Sequence, residues 1–237
     1  MDTTLGFFLW MPSMEYMLWV FVPCLLIGLW AQMRVKSAYK RASKINARSG
    51  RTGAQAAAEI LLEAGVDNVA IEQTKGWLSD HYDPRSRTLR LSPDVFQGRS
   101  LAALGIAAHE VGHAIQHAHN YAPLTMRNAL VPVASIGSSM SYIIIVAGVL
   151  LHMSGLLWLG VGLFAALVVF QLFELPCEFD ASARAKQQLG AMSLVAAGEE
   201  ERQVARVLNA AAMTYVAALV SSLITLAYYL FVLLGDD

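Results

Sequence analysis

Four long runs of apolar residues alternate with polar segments along the chain. The runs extend from about Tyr16 to Gln32, Ala129 to Leu151, Gly155 to Phe173 and Val207 to Leu234, and none contains Lys, Arg, Asp or Glu. A helix needs roughly 20 mostly apolar residues to cross the hydrocarbon core of a bilayer. A buried helix of a soluble protein usually keeps a polar stripe, which these runs lack. The pattern therefore predicts about four transmembrane helices.

The polar segment between the first two runs has the pattern of a small mixed domain. Thr52 and Gln55 have the spacing of a capping box, which predicts that a short helix begins there. Short alternations of apolar and polar residues predict half-buried strands at Val69–Gln73 and Thr88–Ser92. The predicted fold class is thus a mainly α integral membrane protein with a small α+β polar domain.

The charged residues indicate which side of the membrane the polar segments face. Of the 237 residues, 56% are hydrophobic and 15% are charged, whereas soluble domains carry roughly 25% charged residues. Every Lys and Arg lies between Arg34 and Arg127 or between Arg184 and Arg206, and basic loops stay cytoplasmic. Both segments are therefore expected in the cytoplasm, in a multi-pass protein of the inner (plasma) membrane. The net charge of −1 gives no argument for binding nucleic acid.

One segment carries recognisable chemistry. Ser100 is a suitable N-cap for a helix to about Ala118, and this helix contains His109-Glu110-Val-Gly-His113. Histidines four residues apart share one helical face, so both imidazoles can bind one Zn²⁺ at about 2.0–2.1 Å. Glu110 projects beside the metal and can take a proton from zinc-bound water, whose pKa the metal lowers to about 7. This HExxH arrangement is typical of zincin metalloproteases and predicts Glu110 as the catalytic base.

A catalytic zinc site needs a third protein ligand and keeps its fourth position open. His117 lies two turns beyond His109, about 12 Å along the axis, which is too far for the same ion. His119 has the spacing of the third histidine of metzincins. The glycine that would turn the metzincin chain back toward the metal is Gln116 in this sequence, so His119 is the weaker candidate.

The better candidate for the third ligand follows the third apolar run. Pro176 suits the first turn of a new helix, from which Glu178 would point toward the bilayer face that also carries the HExxH helix. A glutamate in a first turn can also simply favour the helix dipole. Asp180 lies about 200° from Glu178 on a helix and aligns with Arg184 for an i,i+4 ion pair. We predict Glu178 as the third metal ligand, with Asp180 and His119 as the alternatives.

Eight segments spread over nearly the whole chain form a pattern more specific than the HExxH motif alone. They are Asp80–Pro84, Leu89–Ser92, His109–Gln116, Asn120–Pro123, Ala129–Pro132, Pro176–Ser182, Leu208–Ala212 and Thr214–Ala217. In these segments the sequence resembles the bacterial membrane (neutral) zinc metallopeptidases, a family of gluzincin-like HExxH proteases. The resemblance implies a membrane-bound zinc peptidase with His109, Glu110 and His113 as motif residues. The similar heat-shock-type membrane gluzincins have an aspartate four residues after the third-ligand glutamate, where this chain has Ser182.

These patterns divide the chain into five predicted parts. Because no Lys or Arg precedes the first apolar run, that run is expected to be a retained anchor rather than a cleaved signal peptide. The parts are an N-terminal transmembrane anchor (1–33), a zincin-like cytoplasmic domain with the HExxH helix (34–128), a transmembrane hairpin (129–175), a cytoplasmic helical segment with the third zinc ligand (176–206) and a C-terminal transmembrane helix (207–237).

The sequence predicts a membrane-embedded zinc-dependent endopeptidase that acts on membrane or misfolded proteins. Zn²⁺ would be its cofactor, a polypeptide its substrate and the lipid bilayer its surroundings, while its oligomeric state stays open. A strand at Thr88–Ser92 could pair with an extended substrate. One alternative is a catalytically idle zinc-binding membrane scaffold or chaperone-like protein, which would not need Glu110. Another is an ion transporter, which would need ionisable residues inside the spans.

Overall fold

The computed structural model describes residues 14–76 and 79–235, most of which are helical. In chain order its elements are α1 (Met14–Ala42), α2 (Gly53–Glu63), β1 (Ala70–Gln73), β2 (His81–Asp83), β3 (Thr88–Leu91), α3 (Pro93–Phe96), α4 (Leu101–Ala118), α5 (Ala122–Leu150), α6 (Ser154–Ala191) and α7 (Glu199–Gly235). The first part of the predicted anchor, residues 1–13, and the end of the predicted last helix, residues 236–237, lie outside the described residues.

Four of these helices, α1, α5, α6 and α7, are long and apolar enough to cross a membrane. Each covers all or nearly all of one apolar run found in the sequence, so the prediction of about four transmembrane helices is confirmed. The helices extend beyond the runs because helical backbone continues into the polar segments, as α1 does to Ala42 and α6 to Ala191. The chain is a mainly α-helical membrane protein.

The predicted helix start at Pro176 is wrong. Pro176 lies inside α6, which continues without interruption from Ser154 to Ala191. Proline removes one backbone hydrogen bond and crowds the preceding turn, yet membrane helices tolerate it because neighbouring groups satisfy the freed carbonyl. Pro132 inside α5 is a second example. Glu178 therefore lies in the middle of a long helix, where the dipole of a helix N-terminus does not explain it.

The described residues form two compact units. The first contains residues 14–30, 126–174 and 214–235, and the second contains residues 31–125 and 175–213. In the first unit a small buried cluster joins Ile145, Leu157, Val161 and Tyr229. The second unit has the larger apolar core, in which α2, α4 and the sheet pack with those parts of the long helices that lie mostly outside the apolar runs. Its members include Ile60, Leu89, Leu104, Leu189 and Val204.

A three-stranded sheet with the order β1–β3–β2 lies in the second unit. β1 runs parallel to β3 and β2 runs antiparallel to it, with Tyr82 opposite Leu89. The strands predicted near β1 and β3 are confirmed. β2 was not predicted, because its three residues are too short to show an alternating pattern. Since β3 has a neighbour on each side, the predicted pairing of Thr88–Ser92 with a substrate strand is wrong.

The helices α2 and α4 begin at the residues that the sequence predicts. Thr52 Oγ1 accepts a hydrogen bond from the Gln55 backbone N–H at 3.2 Å, and Gln55 Oε1 accepts one from the Thr52 N–H at 2.9 Å, which completes the capping box. Ser100 Oγ accepts from the Ala103 N–H at 3.2 Å. These bonds satisfy N–H groups that a helix start otherwise leaves unpaired. The bond at Ser100 defines where the HExxH helix begins.

Candidate active site

The side chains of His109 and His113 on α4 meet that of Glu178 on α6. His109 Nε2 lies 3.2 Å from Glu178 Oε2, and His113 Nε2 lies 3.5 Å from Glu178 Oε1. Among the described residues, these three form the group of His, Cys, Asp and Glu side chains whose ligand atoms all lie within 4.8 Å of one another. Glu178 is only 3% exposed, so this carboxylate is shielded from solvent.

The donor atoms and their spacing fit a zinc ion. Imidazole nitrogen and carboxylate oxygen bind Zn²⁺ at about 2.0–2.2 Å, which places two ligands of a tetrahedral ion about 3.3–3.6 Å apart. The two measured separations, 3.2 and 3.5 Å, are close to that spacing. Two histidines and one glutamate also leave a fourth position for water or substrate, as catalytic zinc sites do.

The charges around His113 favour a cation at this place. Burial would lower the pKa of the His113 imidazole, but its hydrogen bond to Glu178 and the negative charges of Glu110 and Glu178 outweigh burial and raise that pKa above its ordinary value. The same carboxylates that stabilise a proton on His113 would stabilise a metal ion between these side chains.

Gln116 fixes the orientation of the His113 ring. It is fully buried, and its Nε2 donates to the Cys177 carbonyl and to Asp180 Oδ2, both at 2.8 Å. Its Oε1 therefore accepts from Nδ1–H of His113, at 3.0 Å. In the neutral imidazole this bond leaves the lone pair on Nε2 of His113, the atom that faces Glu178. This role was not predicted from the sequence, because Cys177 and Asp180, the partners of the Gln116 amide, lie more than 60 residues away.

Ser182 and Asp180 support the site from α6. Ser182 Oγ lies 3.2 Å from His109 Nδ1, so it can hold the second imidazole in the matching orientation. The predicted ion pair of Asp180 with Arg184 is confirmed, with 2.6 Å between Oδ2 and Nε. Asp180 therefore acts on the site indirectly, through its bond to Gln116. Its carboxylate oxygens are not among the converging ligand atoms.

Gly112 allows α4 and α6 to approach each other closely. A Cβ atom at position 112 would lie 2.7 Å from the Ala181 carbonyl oxygen and 3.0 Å from its Cα, which is shorter than a van der Waals contact. Gly112 is the residue between Val111 and His113 of the motif, so the close approach occurs at the level of the ligands. It places Glu178 within reach of both histidines.

Glu110 lies beside the ligand group and is not a member of it. Its Oε2 accepts a hydrogen bond from the Tyr82 backbone N–H of β2 at 3.1 Å. The side chain is partly exposed, so water can reach it. A carboxylate next to a group of metal ligands, with one oxygen held by an amide, is suited to accept a proton from a water molecule.

The two other histidines of α4 have different surroundings. His117 Nδ1 lies 2.9 Å from the Tyr82 hydroxyl. His119 is the exposed C-cap residue of the helix. Within the described part of the chain, neither histidine belongs to the group of converging ligand atoms. The assignment of the metal ligands nevertheless stays a prediction, which the variants described below test.

The fold and the site together define a helical membrane protein that carries an HExxH motif next to a buried glutamate. Residues 17–234 match the family described as "Putative neutral zinc metallopeptidase", and the chain belongs to this family. It is 44% identical over 221 residues to "Putative membrane protease YugP" of Bacillus subtilis (strain 168). The matched region covers 92% of this chain and 98% of that relative. No solved structure matches the chain. The family resemblance predicted from the sequence is thus confirmed.

Proposed function

We propose that the protein is a membrane-embedded zinc-dependent endopeptidase. His109, His113 and Glu178 would hold the ion, and Glu110 would be the general base. The observation that carries this proposal is the convergence of the three ligand atoms beside a carboxylate that is partly exposed and outside the ligand group. An idle zinc-binding scaffold would need the three ligands but would have no use for Glu110 at this place.

The residues of the chain have separable tasks in this reaction. Bound zinc would polarise the scissile carbonyl and lower the pKa of the attacking water. Glu110 would take a proton from that water at the oxygen that is not bonded to Tyr82, and would later give it to the leaving amine. Gln116 and Ser182 would keep the two histidines in the orientation in which their Nε2 lone pairs face Glu178.

The metal assignment can be tested by counting zinc. The wild-type protein, purified in detergent, is expected to bind about one Zn²⁺ per chain, as a two-His-one-carboxylate site requires. A chelator should stop cleavage of casein, and added Zn²⁺ should restore it. His113→Ala should lose the metal, whereas His119→Ala, which removes an exposed histidine of the same helix, should keep it. Full zinc occupancy in His113→Ala would contradict the assignment, and zinc binding without any cleavage would favour the scaffold.

Membrane or misfolded proteins are the substrate class that we propose. Four helices apolar enough to cross a membrane place the enzyme among membrane proteins, and the relative in Bacillus subtilis is described as a membrane protease. A site reached from the cytoplasm would also encounter unfolded segments of soluble proteins. Comparing cleavage of casein with cleavage of a membrane protein that has one unfolded loop would separate these two kinds of substrate.

We further propose that both polar segments face the cytoplasm from the inner membrane. The support is the confinement of every Lys and Arg to residues 34–127 and 184–206, because basic segments stay inside. In a chain without Cys24 and Cys177, single cysteines at the exposed positions Gln73 and Arg202 are expected to resist a membrane-impermeant thiol reagent in intact cells. A cysteine at the exposed Met153, between α5 and α6, should react. The opposite labelling pattern would refute this topology.

A further inference from the structure

Tyr82 and His117 form a hydrogen-bonded pair to which the proposed reaction assigns no role. His117 continues the helical face of His109 and His113, but its Nδ1 bonds with the Tyr82 hydroxyl at 2.9 Å. The backbone N–H of the same tyrosine donates to Glu110 Oε2 at 3.1 Å. One residue of β2 is thus attached to α4 twice, by its main chain at Glu110 and by its side chain at His117.

The positions of the two contacts follow from helix geometry. Glu110 and His117 are seven residues apart, so they lie within about 20° of each other around α4 and about 10.5 Å apart along its axis. Tyr82 lies along this face, with its amide at one end and its hydroxyl at the other. The rings of Tyr82 and His117 are also in contact, with their centroids 5.8 Å apart.

From this geometry we infer that Tyr82, anchored by His117, is a positioning residue that holds the Glu110 carboxylate in one orientation. The inference rests on the proposed role of Glu110 as the base. A glutamate on a helix surface samples several rotamers, and a bond from a fixed amide to Oε2 selects one of them. The selected rotamer leaves Oε1 available to the attacking water.

The amide itself needs an anchor, because β2 is weakly held by the sheet. β2 has three residues and is an edge strand whose sheet neighbour is β3. The bond between Tyr82 and His117 holds the other side of the strand to α4. A tyrosine hydroxyl keeps its proton at neutral pH because its ordinary pKa is about 10, and burial raises the pKa of Tyr82 further, so this hydroxyl can donate to His117 Nδ1.

Three variants of the full-length, zinc-loaded enzyme test this inference. Tyr82→Phe and His117→Leu each remove the side-chain bond. His117→Asn restores it, because an asparagine amide places a polar atom the same number of bonds from the backbone as histidine Nδ1. We expect kcat for casein to fall on the order of 10-fold in the first two variants, since misplacing a reacting group by about 1 Å can cost roughly 100-fold and a looser carboxylate is displaced by less. KM should stay within about twofold of wild type, and zinc content should not change.

Matched controls separate positioning from a general loss of structure. His119→Leu removes an exposed histidine two residues further on and is expected to behave as wild type. His117→Asn is expected to recover most of kcat. The double variant Tyr82→Phe/His117→Leu should be no slower than either single variant, because both changes remove the same bond. A rise in KM together with loss of zinc in Tyr82→Phe would instead indicate a structural role and would overturn the inference.

Hydrogen exchange at the Tyr82 amide gives a readout that does not depend on activity. In the full chain, exchange in the segment 79–87 is expected to be faster in Tyr82→Phe and His117→Leu than in wild type, and to be restored in His117→Asn. Should the wild type cleave nothing, the proposed function fails, while the exchange rates still decide whether the pair anchors the strand. Should the wild type cleave and Tyr82→Phe keep its full kcat, the proposed function stands and this inference is wrong.

Discussion

Glu110→Gln is expected to retain zinc and to lose peptide-bond cleavage by roughly 10²- to 10⁴-fold, which is the contribution of a general base. The change removes the basic oxygen and none of the three converging ligand atoms of His109, His113 and Glu178. Glutamine still offers an Oε1 that can accept the Tyr82 N–H, so the contact seen at 3.1 Å can persist. The loss is therefore expected in kcat rather than in folding or metal binding.

The measurement compares zinc content and casein cleavage of the purified variant with those of wild type. Glu59→Gln is the matched control, because it makes the same chemical change at a residue of α2 whose partner is Arg51, at 2.8 Å. Activity of Glu110→Gln near the wild-type level would show that Glu110 is not the base. Loss of zinc from the same variant would show that Glu110 belongs to the metal site instead.

Glu178→Ala is expected to weaken zinc binding by more than about 100-fold and to abolish cleavage. The loss of zinc affinity is expected to exceed about 100-fold because removing a group that only orients a ligand already costs about 10–100-fold in affinity or activity. Asp180→Ala, which acts through Gln116, is the internal comparison and should show that smaller loss. Truncating the buried Glu178 also leaves His109 and His113 without the carboxylate that lies 3.2 and 3.5 Å from their Nε2 atoms.

Zinc affinity measured by competition with a chromophoric chelator distinguishes these variants. Glu199→Ala serves as the control, because it removes an exposed glutamate at the start of α7. If Asp180→Ala bound zinc more weakly than Glu178→Ala does, Asp180 rather than Glu178 would be the ligand. Equal affinity of Glu178→Ala and wild type would remove Glu178 from the site.

The sequence predicted the long helices well because their signal is local. An apolar run without Lys, Arg, Asp or Glu has few stable places other than a bilayer, and the capping residues Thr52 and Ser100 each act within one turn. The start at Pro176 was wrong for a non-local reason, since the tolerance of proline inside α6 depends on neighbours that the sequence does not show. β2 was missed because its pairing with β3 is set by the sheet.

The candidate site shows the same division between local and distant information. The pairing of His109 with His113 follows from helical periodicity, and so does the prediction that His117 lies too far along the axis to join them. The partners that these histidines find on α6 lie 65 to 73 positions away in the sequence, as in the contacts of His113 with Glu178 and of His109 with Ser182. Such contacts depend on how α4 and α6 pack, which no spacing in one sequence reveals.

The glycine at position 112 gives the motif a steric meaning in addition to its chemical one. The pattern HExxH leaves its two middle positions unrestricted. In this chain the second of them has no side chain, and the backbones of the two helices are too close there to admit one. Any side chain at Gly112 meets the main chain of Ala181, and main chain cannot turn aside as a flexible side chain can. The lack of a side chain at this one position thus permits the close approach of the two helices that carry the ligands.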